Sequence, residues 1–185
     1  MKRVWLLGLV LAGCGGPSDL MPLEVGSRWS YSVNTTFNEY ITDIRVVRQA
    51  AVGSVQGYVL SGPMGESQIA WNGKVLVGER FANTRFTPPI PLLVDTNERV
   101  RRYWTGTAQG GWGKFEGTAT LNQAPGEEQM GGQKIKVIKT ELVVLNPKGK
   151  SIRLQTTFQP GAGIATQRQW LGGDLLVRLE RQSGK

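Results

Sequence analysis

The sequence predicts an all-β protein, a single antiparallel meander of about 10–11 strands that forms a curved sheet, a half-barrel or a barrel. Three observations carry this. Apolar residues recur with period two along most of the chain, turn signals interrupt that alternation at close intervals, and no ten-residue stretch after residue 14 has a 3.6-residue period.

Taken in order, the first strand reads Arg28-Trp29-Ser30-Tyr31-Ser32-Val33-Asn34, where Trp29, Tyr31 and Val33 face one way and polar residues the other. Less regular strands are expected near 40–48, 55–61, 67–71 and 75–81. Asn72-Gly73 between the last two is a strong hairpin signal, because a type I′ turn needs positive φ at both central positions. A strand near 98–106 follows. Then Phe115, Gly117, Ala119 and Leu121 alternate with Lys114, Glu116, Thr118 and Thr120. After a long strand over 134–145, Asn146-Pro147-Lys148-Gly149 closes a hairpin onto Ile152, Leu154, Thr156 and Phe158. A strand near 164–170, the turn Gly172-Gly173-Asp174 and the alternating Leu175, Val177 and Leu179 complete the meander. One-sided alternation of this kind belongs to antiparallel sheets with one face in a core.

Three segments depart from the pattern. Across 134–145 the apolar parity shifts from Ile135 and Val137 to Ile138, Thr140, Leu142 and Val144, which a β-bulge near Val137-Ile138 would reconcile. Phe86 to Val94 holds Pro88, Pro89 and Pro91, which donate no ladder hydrogen bonds, so it reads as an extended connection that closes an open end of the sheet or forms a flap. Gln123 to Gln133, rich in Gly, Pro and Glu, reads as a polar loop.

The N-terminus has its own pattern. Lys2 and Arg3 precede an apolar run from Val4 to Gly13, the outline of a secretory signal peptide. As a helix, ten residues reach about 15 Å, half the hydrocarbon thickness of a bilayer. The run ends Leu11-Ala12-Gly13-Cys14 and is followed by Gly-Gly-Pro-Ser-Asp. This resembles the lipobox of bacterial lipoproteins. The resemblance implies cleavage before Cys14, acylation of that cysteine and anchoring in the cell envelope. With Gly15 next, it implies the outer membrane in a diderm cell and otherwise the outer face of the cytoplasmic membrane. The expected organisation is therefore a signal peptide over 1–13, a lipidated tether over 14–22 and one β domain over 23–185.

Composition removes much chemistry. Among 185 residues there is no His and one Cys, so a Ser-His-Asp or Cys-His catalytic set, a His-ligated metal and an intrachain disulfide are all excluded. Glu127-Glu128 is an adjacent acidic pair in a Gly/Pro-rich segment, and the other carboxylates are scattered without a catalytic or calcium-loop spacing. The reading is of a non-enzyme without cofactor or metal. Residues 14–99 carry seven cations and eight carboxylates, whereas 100–185 carry thirteen and six. Arg101, Arg102, Lys134, Lys136, Lys139, Lys148, Lys150 and Arg153 form a basic surface if their strands are neighbours, suited to anionic lipid or wall polymer. The alternative is a set of solvated strand faces that use cations for solubility and edge protection. An exported chain without a nucleic-acid motif gives no reason to expect nucleic acid.

Aromatic side chains supply the other candidate site. If Trp29, Tyr31, Trp104, Phe115, Phe158 and Trp170 all point inward, they line an apolar pocket; otherwise they are core. Pro22-Leu-x-Val-Gly-x-x-Trp-x-Tyr31 and Pro160-Gly-x-Gly163 followed by a strand resemble segments of small bacterial envelope proteins. That resemblance implies a periplasmic or surface β-protein broadly similar to half-barrel lipoprotein-carrier folds, although the helices that plug the carriers are missing here. Two functions stand: a lipid-anchored binding module for an apolar ligand or an anionic envelope component, and an accessory lipoprotein that docks onto a larger envelope complex.

Overall fold

The computed structural model describes residues 20–111 and 113–182. Cys14, and with it the signal peptide and most of the tether, lies outside the described residues. Twelve strands occur among them. The first six are β1 (Arg28–Thr35), β2 (Glu39–Val52), β3 (Val55–Gly62), β4 (Gly65–Asn72), β5 (Val75–Phe81) and β6 (Thr84–Val94). The remainder are β7 (Val100–Gly110), β8 (Gly113–Met130), β9 (Gln133–Leu145), β10 (Ser151–Gln159), β11 (Gly163–Leu171) and β12 (Asp174–Arg181). Each pairs antiparallel with the next, and β1 pairs with β12, so the meander closes into a barrel. Closure removes both sheet edges.

The alternation read from the sequence becomes the inner face. Val33, Leu179, Leu121, Leu142, Leu154 and Phe158 are buried together in one core with residues from every strand. The domain also begins earlier than expected. Leu20, Met21 and Leu23 are buried in the same core, and the Met21 carbonyl accepts a 3.4 Å hydrogen bond from Trp71 Nε1. Thus Leu20 to Pro22 belong to the packed unit and not to a tether.

Several turns confirm their residue chemistry, with one shift. Asn72 still pairs with Val75, so the loop is Gly73-Lys74, and Gly73 (φ 58°) stands first, as a II′ arrangement requires. In the turn after β9, Asn146 Oδ1 accepts the Lys148 and Lys150 amides at 2.9 Å each. The β5–β6 hairpin was not anticipated. Its loop is Ala82-Asn83, both at positive φ without being glycine, so it lacks the usual composition signal.

The three irregular segments resolve differently from expectation. The supposed connection 86–94 is strand β6: its prolines pair only with one side or with nothing, while Ile90, Leu92, Leu93 and Val94 are buried. It meets β7 over Arg85–Thr87 alone, leaving a gap where Pro88, Pro89 and Pro91 offer no N–H. Side chains seal that gap. Trp104 Nε1 donates to the Pro88 carbonyl at 2.9 Å. Gln123 accepts the Val94 amide at 2.8 Å and donates to the Val94 and Thr96 carbonyls at 2.8 and 3.1 Å.

The segment 123–133 is no loop. β8 continues to Met130 and turns at Gly131-Gly132, both at positive φ, into β9. Ion pairs of Glu127 with Lys134 and of Glu128 with Lys139 (2.8 Å) tie the two strands. β9 has no bulge, since its register with both neighbours is unbroken. Val137 is buried on the outward parity. Opposite it, Gly126 leaves room for the Lys139 methylenes to lie against the sheet on that same face, so a lysine stem covers the apolar residue and mimics a parity switch.

Candidate functional site

The register of β7 to β12 aligns side chains into transverse rows on the outer wall. One row runs Arg101, Asn122, Glu141, Gln155, Arg168 and Arg178. Two residues along each of β7 to β11, about 7 Å away, and three along β12 where its register shifts, a second runs Tyr103, Thr120, Val143, Arg153, Trp170 and Leu175. The first is polar, with three arginines and one glutamate, and the second is largely apolar.

An open trough of about 670 Å³ lies along the first row and the residues just beyond it, including Arg99, Lys139, Thr157 and Thr166. Its fixed elements are local pairs: Arg101 Nε donates to Asn122 Oδ1 at 2.8 Å, and Gln155 Nε2 donates to Glu141 at 3.0 Å. Lys139 is neutralised by Glu128. Among the described residues, Arg99, Arg101 and Arg168 make no ion pair, and neither does Glu141, so three cations against one carboxylate leave the trough with a net positive field. Asparagine, glutamine and threonine around it add donors for hydroxyl or phosphate oxygens.

The eight cations expected to form one surface are split. Arg101 and Lys139 reach the trough. Lys134 and Lys136 have the opposite parity and lie on the other face of the β8–β9 hairpin, where Lys134 pairs with Glu127 and holds that carboxyl below its usual range. Arg102 pairs with inward Leu121 and so faces away from Arg101. Lys148 and Lys150 belong to a turn at the far end of β9, and the Arg153 guanidinium stacks 4.2 Å over the Trp170 ring. Sequence reasoning missed Arg99 and Arg168. Arg168 alternates outward in a strand that was anticipated, but its place beside Gln155 depends on register.

The six aromatic residues do not converge on a cavity. Tyr31 and Phe158 are fully buried, and the Tyr31 hydroxyl donates to the Ile164 carbonyl at 2.8 Å. Burial pushes the Tyr31 phenol well above its ordinary value despite the opposing charge of Arg181. Trp104 packs edge-on against Phe86 at 5.7 Å, and Trp29 packs on the core. Phe115 sits at the opposite end, beside a recess of about 170 Å³ formed with Ala82, Ile152, Leu171 and Leu176. Trp170 departs from expectation: the register shift between Thr157 and Phe158 skips Ala165, so inward Ile164 is followed by outward Thr166, Arg168 and Trp170, and Trp170 pairs with outward Arg153 on the outer wall. A void of about 10 Å³ between Phe81, Phe86, Leu142 and Leu154 has room for at most one water.

No family model matches this chain, and no curated protein matches it. Solved structures give weak likenesses. A candidate lipoprotein of Parabacteroides distasonis is 13% identical, with a TM-score of 0.47 over 89% of this chain and 97% of its own. A candidate exported protein with a YmcC-like fold from Bacteroides fragilis is 11% identical, with a TM-score of 0.48 over 86% and 95%. The hypothetical lipoprotein YmcC of Escherichia coli K12 is 10% identical, with a TM-score of 0.43 over 85% of each chain.

Proposed function

We propose that this is a lipid-anchored, non-enzymatic module of the bacterial envelope that holds an anionic envelope component in its outer trough. The trough itself carries the reading: about 670 Å³ of open concavity in which Arg99, Arg101 and Arg168 make no ion pair among the described residues. Binding sites for small apolar molecules are enclosed and greasy, whereas this one is open and lined by charge and amides. The apolar-ligand version has less support, because the apolar recess at the far end is only about 170 Å³. Attachment to the membrane rests on Cys14 and the lipobox around it. One acyl chain binds reversibly and two or more bind durably.

The test is made on cells that express the protein. Labelling with a palmitate analogue is expected to mark the wild type and to vanish in Cys14→Ser. Anionic lipid or polymer is expected to co-purify with the wild type and to be depleted in Arg101→Gln/Arg168→Gln. Undiminished labelling of Cys14→Ser refutes the anchor, and unchanged co-purification refutes the trough.

A second reading, docking onto a larger envelope complex, is favoured by the outer row of Tyr103, Val143, Trp170 and Leu175. Tyr103 is 74% exposed. A photoreactive residue at Tyr103 that captures one discrete protein in cells would establish it.

A further inference from the structure

We infer that the wall formed by β7 to β12 lies on anionic phospholipid headgroups of the membrane that carries the protein's own anchor, with Arg99, Arg101 and Arg168 on lipid phosphates and Tyr103 and Trp170 in the interfacial layer. The inference rests on the anchored reading above and deepens it by naming the ligand and the orientation.

Topology supplies the first argument. An up-and-down meander with an even number of strands returns the chain to the end where it began. The segment before β1 and the residues after β12 therefore share one end of the barrel, and Gln182 N donates to the Ser30 carbonyl at 2.8 Å. At that end Met21 is buried against Gly163, the first residue of β11, and against Trp71 near the close of β4. Five residues, and hence six Cα–Cα steps of at most about 3.6 Å, separate Leu20 from Cys14, so an acylated Cys14 holds that end within about 22 Å of the bilayer surface. Arg99 and Arg101 flank the start of β7 at the same end. Arg168 stands five residues into β11, roughly 17 Å along it.

The second argument is independent and concerns the kind of anion. A site for free phosphate needs charge alone. Here the arginine-bearing row lies beside a row in which Tyr103 and Leu175 are exposed and Val143 and Trp170 half-buried on the same face, and Arg153 stacks on Trp170 within it. Cations beside amphipathic aromatics are what a lipid–water interface selects: the rings sit at headgroup depth while guanidinium groups meet phosphate. A soluble phosphate compound would leave the aromatic row in water.

The closed strand ladder and the whole core lie within residues 20–182, so a chain that starts at Gly15 retains every contact described. Its binding to vesicles of phosphatidylcholine with phosphatidylglycerol is measured by co-sedimentation. Binding is expected at low salt, with steep loss on adding salt and none to pure phosphatidylcholine. Arg99→Gln/Arg101→Gln/Arg168→Gln should weaken it roughly 100-fold, and Tyr103→Ser/Trp170→Ser should weaken it at every salt concentration. Lys148→Gln/Lys150→Gln, at the opposite end, should leave it unchanged. Circular dichroism of each variant verifies the barrel. The inference is overturned by no binding at low salt, by equal loss in the lysine pair, by no loss in the aromatic pair, or by glycerol phosphate competing as well per phosphate as the vesicle. Because this chain lacks Cys14, a failure of acylation in cells and a failure here are read separately.

Discussion

Glu79 shows how one side chain fastens a long hairpin. The tip of β2–β3 reaches across to β5–β6, where Gly53 N donates to Glu79 Oε2 at 3.1 Å and Gly53 itself packs on Pro89. Arg85 holds the other carboxylate oxygen at 2.7 Å. The backbone hydrogen bond from Gly53, and then Arg85, depress the Glu79 pKa despite some desolvation. A depressed folded pKa means that the ionised form is preferred by the native state. This contribution is therefore present above the ordinary glutamate value of 4.5 and is lost as pH falls through the lower folded value. Glu79→Gln is expected to cost about 1 kcal/mol at pH 7, since the Arg85 partner is solvent-exposed. Thermal melts should show a Tm lowered by about 2–4 °C at pH 7, with the gap closing under acid. A gap that persists below pH 3 would assign the loss to packing.

At the scale of elements, legibility followed alternation and failed where something other than alternation decides. Trp29-Tyr31-Val33 and Ile152-Leu154-Phe158 announced their strands because one face of each meets the core. Strand β6 was hidden because its three prolines argue against a ladder, and the structure tolerates them only by opening a gap beside β7. The outer trough was hidden for another reason. Arg101, Gln155 and Arg168 lie far apart in sequence, and only the register of five strands brings them into one row. Trp170 faces outward against expectation because the irregularity at Ala165 changes the parity of β11 without any mark in composition. Gln123 shows how the β6 gap is made tolerable, since its buried amide replaces missing strand pairing by bonding both backbone groups of Val94. Gln123→Ala leaves that amide and carbonyl unpaired in a buried site and is expected to cost roughly 2–3 kcal/mol. Hydrogen exchange at Val94 should quicken by more than the global loss of stability explains. Exchange that rises uniformly across the core would mean that Gln123 acts by packing alone.

For the whole molecule, closure is the step with the longest reach. Every seam but one joins strands adjacent in sequence, whereas β1 meets β12 through Tyr31–Thr35 and Val177–Arg181, at opposite ends of the chain. Local hairpins can form early at low entropic cost, but this seam must wait until ten intervening strands have curved enough to bring its halves together. Val33 and Leu179 face each other across it, both with no exposed surface. Leu179→Ala therefore removes a contact that the native state has and the folding transition state lacks. The expected loss is about 2–5 kcal/mol for a fully buried leucine, and it should be expressed almost wholly as faster unfolding with the refolding rate little changed. The comparison is Leu121→Ala, which is equally buried but lies in the β7–β8–β9 meander, where pairing is local; it should also slow refolding. Denaturant-jump kinetics on both variants decide the order. If Leu179→Ala slows refolding as much as Leu121→Ala does, the ends meet early, and the barrel condenses around its seam instead of closing on it last.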